Sequence, residues 1–123
     1  MNAVFDTNIL IDYLNGERAA FKELSRYQSK FISVITHIEV LVGASTAREE
    51  SAIRSFLASF ELKQLTADIA EQAIRIRQNH RMKIPDAIVY ATARVEKCIL
   101  VTRNIKDLKE DWPDIRVPYQ LKA

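Results

Sequence analysis

Asp6 directly follows the short apolar run Ala3-Val4-Phe5, and Thr7 and Asn8 come next. Glu39 lies about one helical turn beyond a second run, "FISV". Asp86 opens "PDAIVYATARVEK", and Asn104 and Asp107 follow a third run, "CILV", within "LVTRNIKD". Carboxylates brought together repel, by roughly 4 kcal/mol for a pair about 4 Å apart at an effective dielectric near 20. A fold that gathers Asp6, Glu39 and Asp86 therefore calls for a cation. The set offers oxygen donors, with no cysteine and no required histidine, so the matching ion is hard: Mg²⁺ or Mn²⁺. Mg²⁺ takes one or two carboxylates plus phosphate oxygens and keeps several waters, an arrangement suited to hydrolysing a phosphodiester. Each acid taken alone also has a simpler role. Asp6-Thr7 reads as a helix N-cap, Thr36 to Glu39 as a capping box, and Pro85-Asp86 as an ordinary helix start.

These residues share a site only if the right elements carry them. The apolar runs at 3–5, 31–34 and 98–101 read as strands, and Ile115 to Val117 as a weaker fourth, closed by Pro118. Such runs, set between amphipathic stretches, fit a parallel sheet buried on both faces. Residues 7–14 and 17–27 read as two helices parted at Asn15-Gly16. Ile53, Phe56, Leu57 and Phe60 recur at helical spacing, as do Ile84, Ala87, Ile88 and Ala91. Ile69, Ala73 and Ile76 mark another helix. The order is β-α-α-β-α-α, a short strand, then α-α-β-α-β. That is a three-layer α/β/α domain with a mostly parallel central sheet, one domain over 1–123. In such sheets ligands bind beyond the carboxyl ends of the strands, which is where this order puts Asp6, Glu39 and Asn104. Asp86 joins them only if its helix starts at the same crevice.

Composition narrows the setting. Of the 123 residues 48% are hydrophobic and the net charge is +2, which describes a globular and mildly basic chain. No basic leader precedes an apolar stretch, and no apolar run approaches the ~18 residues of a membrane span. The single cysteine, Cys98, excludes an internal disulfide and fits a cytoplasmic protein.

The blocks "VFDTNILIDYL", "SVITHIEVLVGA", "IPDAIVYATA" and "LVTRNIKDL" resemble, in order and spacing, the signature blocks of PIN-domain ribonucleases, and most closely VapC-like toxins of toxin–antitoxin pairs. The similarity spans essentially the whole chain. It implies an Mg²⁺-dependent endoribonuclease in which water attacks the RNA phosphate with no covalent enzyme intermediate. It assigns Asp6, Glu39, Asp86, Asn104 and Asp107 to the catalytic set, with Asp6, Asp86 and Asn104 on the metal. Asn104 departs from the more usual acid at that position, and Asp107 is the carboxylate available to compensate. It further implies a VapB-like antitoxin as partner and a homodimer.

Arg75, Arg77, Arg81 and Lys83 precede Asp86, and Arg103 sits inside the last block. Arg103, Arg77, Arg81 and Lys83 are candidates for holding RNA phosphates, or else the solvated end of a helix. Tyr90 and Trp112 read as packing, and Cys98 as a buried apolar residue of its strand. Two other readings stand beside the nuclease. One is a non-catalytic PIN-like module binding RNA or protein. The other is a receiver-like phospho-aspartate domain, disfavoured because Asp6 lacks an adjacent acid and no lysine follows the late strand.

Overall fold

Side-chain alternation on the strands decides the layering. On β1 (Asn2–Phe5) Ala3 and Phe5 pack on one face and Val4 on the other, all fully buried. The same split recurs at Phe31 and Ile32 of β2 (Ser29–Ser33) and at Leu100 and Val101 of β4 (Ile99–Val101). A strand apolar on both faces must be covered twice, which requires a layer of helices above and below. The computed structural model, which describes residues 1–121, has this arrangement.

The strands β3 (Glu61–Lys63) and β5 (Ile115–Arg116) complete a five-stranded sheet in the order β3-β2-β1-β4-β5, with every pairing parallel. One face is covered by α5 (Ala67–His80) and α6 (Ile84–Glu96), whose Ile69, Ile76, Tyr90 and Ala91 join Val4, Phe31 and Leu100 in one core. The other is covered by α1 (Thr7–Leu14), α2 (Arg18–Leu24), α3 (Val34–Val42) and α4 (Ala47–Leu57). Their Ile9, Leu10, Leu24, Val40 and Ile53 pack on Ala3, Phe5 and Ile32.

The sheet order carries a consequence for the site. From β1 the chain builds outward through β2 and β3, then returns to place β4 on the other side of β1. The crevice at such a switch point is where open α/β sheets bind ligands. Receiver domains of the flavodoxin type use the order 2-1-3-4-5 instead, so the receiver-like alternative does not fit this sheet.

Local sequence fixes the helix starts. Asp6, Ser33, Thr46 and Thr66 each cap a helix by accepting a backbone N–H with a side-chain oxygen. The α1–α2 break falls at Gly16, whose φ of +86° is the left-handed conformation glycine adopts without a Cβ clash. At the α5–α6 junction Arg81 takes a left-handed φ of 54°, and Arg77 Nη1 donates to the Met82 carbonyl at 2.8 Å. That guanidinium holds the turn leading into the Asp86 helix.

Three expectations need correction. The segment between β4 and β5 forms turns, not a helix; Asn104 Oδ1 accepts from the Lys106 and Asp107 amides and curls the chain there. The capping box at Thr36–Glu39 is absent, because Ser33 caps α3 and Thr36 already lies inside it. Cys98 precedes β4 and is only partly buried. Tyr90 and Trp112 do pack, their rings stacked at 5.6 Å with Tyr90 fully buried. Among the described residues, no helix is long and apolar enough to cross a membrane.

The central strand gives a direct test of this packing. Leu100 is fully buried between the layers, so Leu100→Ala should lower the unfolding free energy by about 2–5 kcal/mol. A urea titration followed by circular dichroism measures it, as a lower midpoint at unchanged slope.

Candidate functional site

Beyond the carboxyl ends of β1 and β4 lies a pocket of about 470 Å³ lined by Asp6, Thr7, Asn8, Ile11, Glu39, Asp86, Arg103 and Asn104. Each acid arrives by a different route. Asp6 leaves β1 and caps α1, accepting the Thr7 amide at 2.8 Å, while its own N–H donates to the Val101 carbonyl at 2.9 Å. Glu39 comes from the second turn of α3. Asp86 comes from the first turn of α6, after Pro85. The α6 start does open on the crevice, as a shared site requires.

The environments of the acids differ. Asp6 is only 6% exposed. It accepts a hydrogen bond from Thr102 Oγ1 at 2.8 Å and a long one from Asn8 Nδ2 at 3.4 Å. These bonds favour its charged form. Burial outweighs them, and the nearby charges of Asp86 and Glu39 add to it, so the Asp6 carboxyl is pushed up to about 6. Asp86 is raised for the same reason, first by burial and then by Asp107 and Glu39, with Lys83 acting the other way. Glu39 is exposed. Its Oε1 accepts from the Thr7 hydroxyl at 2.7 Å, and Thr7 Oγ1 lies 3.1 Å from Thr36 Oγ1.

Asn104 lines the pocket, but its side-chain oxygen already accepts two backbone amides, both at 3.2 Å. Asp107 lies within 3.4 Å of the Asn104 amide nitrogen, and its charge reaches Asp86. Arg103 reaches the pocket, yet its guanidinium is engaged: Nε and Nη2 both donate to the buried Asp12 carboxylate, the latter at 2.9 Å. Arg77 is tied to the carbonyls of the α5–α6 turn. Arg81 and Lys83 are exposed just before Asp86.

Sequence reasoning missed Thr36, Thr102, Asp12 and Tyr119. Thr102 follows β4 as Asp6 follows β1, and that parallel was its available signal. Asp12 lies four residues after Asn8, hence on the same helical face, but nothing local ties it to Arg103 or Tyr119.

Among the described residues, no three of His, Cys, Asp and Glu stand close enough as placed to grip one ion by themselves. The donor set nonetheless fits a hydrated Mg²⁺, which needs only one or two carboxylates and fills its remaining positions with water. A larger groove of about 580 Å³ lies around Arg94, Cys98 and Asp114, at the amino end of β4. Arg94 pairs with Asp114 there at 3.4 Å, and no second acid lines the groove, so its size marks no chemistry.

Comparison with known proteins agrees with this fold. The family model for the PIN domain matches residues 3–110. The chain is 30% identical to ribonuclease VapC19 of Mycobacterium tuberculosis, over 94% of this chain and 98% of that protein. It is 30% identical to ribonuclease VapC1 of Methanocaldococcus jannaschii, over 82% and 74% respectively. Among solved structures, a chain of a toxin–antitoxin complex from Klebsiella pneumoniae superposes with a TM-score of 0.91 at 41% identity, covering 97% of this chain and 99% of that one. A chain of FitAcB from Neisseria gonorrhoeae, 17% identical, shares the fold with a TM-score of 0.81, covering 97% and 99%.

The buried acid makes stability depend on pH. Folding raises Asp6 from 3.8 to about 6, so the folded chain holds this proton more tightly than the unfolded one. The stabilisation is complete below about pH 4 and is lost as pH rises through about 6, at a cost of up to about 3 kcal/mol. Asp6→Asn lacks that loss. With divalent ions chelated, the unfolding free energy of the variant relative to wild type should therefore rise between about pH 4 and pH 8, as read by urea titrations at each pH.

Proposed function

The chain belongs to the PIN-domain family, and from that premise we propose that it is a metal-dependent endoribonuclease acting as the toxin of a toxin–antitoxin pair. The observation that carries the reading is the convergence of Asp6, Glu39 and Asp86 on one pocket, where burial and mutual repulsion raise Asp6 and Asp86. A site that spends stability on under-neutralised carboxylates is built to receive positive charge.

In this reading Asp6 and Asp86, with Asn104 beside them, hold Mg²⁺, and Mn²⁺ can replace it. When bound, the ion supplies Lewis-acid charge that acidifies water and offsets the charge of the phosphoryl oxygens. The chain's own groups do the rest. Thr102 and the Thr7 amide fix both oxygens of Asp6. Thr7 holds the exposed Glu39, which in this reading takes a proton from the attacking water. Asp107 supplies the carboxylate that Asn104 lacks, beside Asp86. The exposed Arg81 and Lys83, just before Asp86 in the chain, contact RNA phosphates in this reading, whereas Arg103 and Arg77 serve the structure of the site.

The 41%-identical neighbour from a toxin–antitoxin complex supports a VapB-like antitoxin as partner. A homodimer and a cytoplasmic location complete the proposal. The neutral Asn104, whose oxygen is occupied by backbone amides, favours one other reading, a non-catalytic RNA- or protein-binding module.

Purified wild type and Asp6→Asn, incubated with total RNA and Mg²⁺, distinguish the two. The nuclease reading expects cleavage by wild type, and a loss in the variant exceeding the roughly 10–100-fold typical of outer-sphere changes. Equal rates would remove Asp6 from the mechanism. Absence of any Mn²⁺ binding heat in wild type would favour the non-catalytic module.

A further inference from the structure

We propose that Asp12, Arg103 and Tyr119 form a clamp that positions the segment 102–107 and, through Asn8, the carboxylate of Asp6. This deepens the active-site reading above and rests on it. Asp12 is 4% exposed, on the face of α1 that also carries Asn8. Its two oxygens receive the planar fork of Arg103, and the Tyr119 hydroxyl donates to Oδ2 at 2.9 Å. Arg103 is gripped again along its backbone. Its N–H donates to Asn8 Oδ1 at 3.1 Å, and its carbonyl accepts from Gln120 Nε2 at 3.3 Å. The other end of Asn8 reaches the chemistry, for Nδ2 lies 3.4 Å from both Asp6 Oδ2 and Thr102 Oγ1.

One residue, Arg103, is thus held at side chain, amide and carbonyl, by α1 and by the C-terminal segment. Its two neighbours are the site residues Thr102 and Asn104. A buried ion pair alone is weak evidence for stability, and its better-supported use is to select one geometry among several. The connectivity here suits that use. Displacing Arg103 would shift Thr102, which holds Asp6, and release the Asn8 amide, whose orientation is set by donating toward Asp6 and Thr102 and accepting from Arg103. Only a guanidinium presents two parallel donors to both carboxylate oxygens, so lysine cannot reproduce the grip. Tyr119 fixes the remaining freedom of Asp12. The clamp also explains why Arg103 lines the pocket without lending its charge to an RNA phosphate.

Tyr119→Phe removes a single hydroxyl and is the mild variant; Arg103→Lys keeps the charge but not the fork. For both, the affinity for Mn²⁺ by calorimetry, kcat and KM for RNA, the melting temperature, and amide hydrogen exchange at Arg103 and Asn104 should be measured. The clamp predicts Mn²⁺ affinity and kcat each lower by roughly 10-fold in Tyr119→Phe, KM for RNA unchanged, and faster exchange at Arg103 and Asn104 with α5 amides unaltered. Arg103→Lys should fall at least as far despite its charge. A lowered melting temperature with wild-type Mn²⁺ affinity, kcat and local exchange would reduce the triad to a structural ion pair and overturn the proposal. If wild type neither cleaves RNA nor binds Mn²⁺, the nuclease reading fails instead. Local exchange then decides the clamp by itself, unchanged rates in Tyr119→Phe overturning it.

Discussion

The site depends on one carboxylate kept almost dry between two adjacent strand ends. Asp6 caps α1, continues the β1–β4 ladder through its N–H to Val101, and receives the Thr102 hydroxyl from across the sheet. A water-exposed aspartate would ionise more readily and hold its geometry less firmly. Here the hydrogen bonds fix both oxygens, while burial still outweighs them and raises the group. Hydrogen bonding sets where the charge sits, and desolvation sets how strongly it seeks a counter-charge.

Helix α1 transmits that placement to the rest of the pocket. Its first residue, Thr7, reaches Glu39 and Thr36 on α3; its second, Asn8, reaches Thr102 and Arg103 beyond β4; and Asp12, one turn further, takes the Arg103 guanidinium. A short helix therefore links the elements on either side of β1. Only Asp86 stands outside this scheme. It depends on the left-handed turn at Arg81 that Arg77 pins, so one basic residue upstream of the acid acts through backbone geometry.

The main strands and the place of Asp6 at a strand end are legible because they rest on local patterning, whereas Asp86 follows no strand and reaches the crevice only through the fold. Short apolar runs set between amphipathic stretches fit strands buried on both faces, and an acid directly after such a strand falls at its carboxyl edge. Helix α1 spans 7–14 in the sequence pattern and in the structure alike, since Asp6 and Asn15-Gly16 supply both of its ends. The parts that stayed hidden lack a local signature. The connection from β4 to β5 takes its shape from Asn104 folding onto its own backbone, a side-chain turn that competes with helix and leaves no periodicity. Tyr119 and Asp12 are 107 positions apart, and no spacing rule connects them. Thr36 matches a cap in local pattern. Ser33 was better placed because β2 ends there.

The acids that are wholly or partly buried fall into two kinds, and the contrast locates function better than pocket size does. Glu23 is as buried as Asp12, yet it receives two bonds from Arg116, at 2.6 and 3.0 Å, and the Tyr27 hydroxyl at 2.7 Å. Its carboxyl is lowered despite burial, chiefly through those hydrogen bonds. Asp12 has the same complement, one arginine fork and one tyrosine hydroxyl. The chain thus has a way to make an acid comfortable inside the fold, and uses it at both residues. It does not use it at Asp6, which is offered hydroxyl, amide and backbone donors but no cation, or at Asp86, which faces two further carboxylates against the single charge of Lys83. With guanidinium groups available nearby, Arg103 among them, leaving these two acids without one keeps a place for positive charge brought from outside the chain.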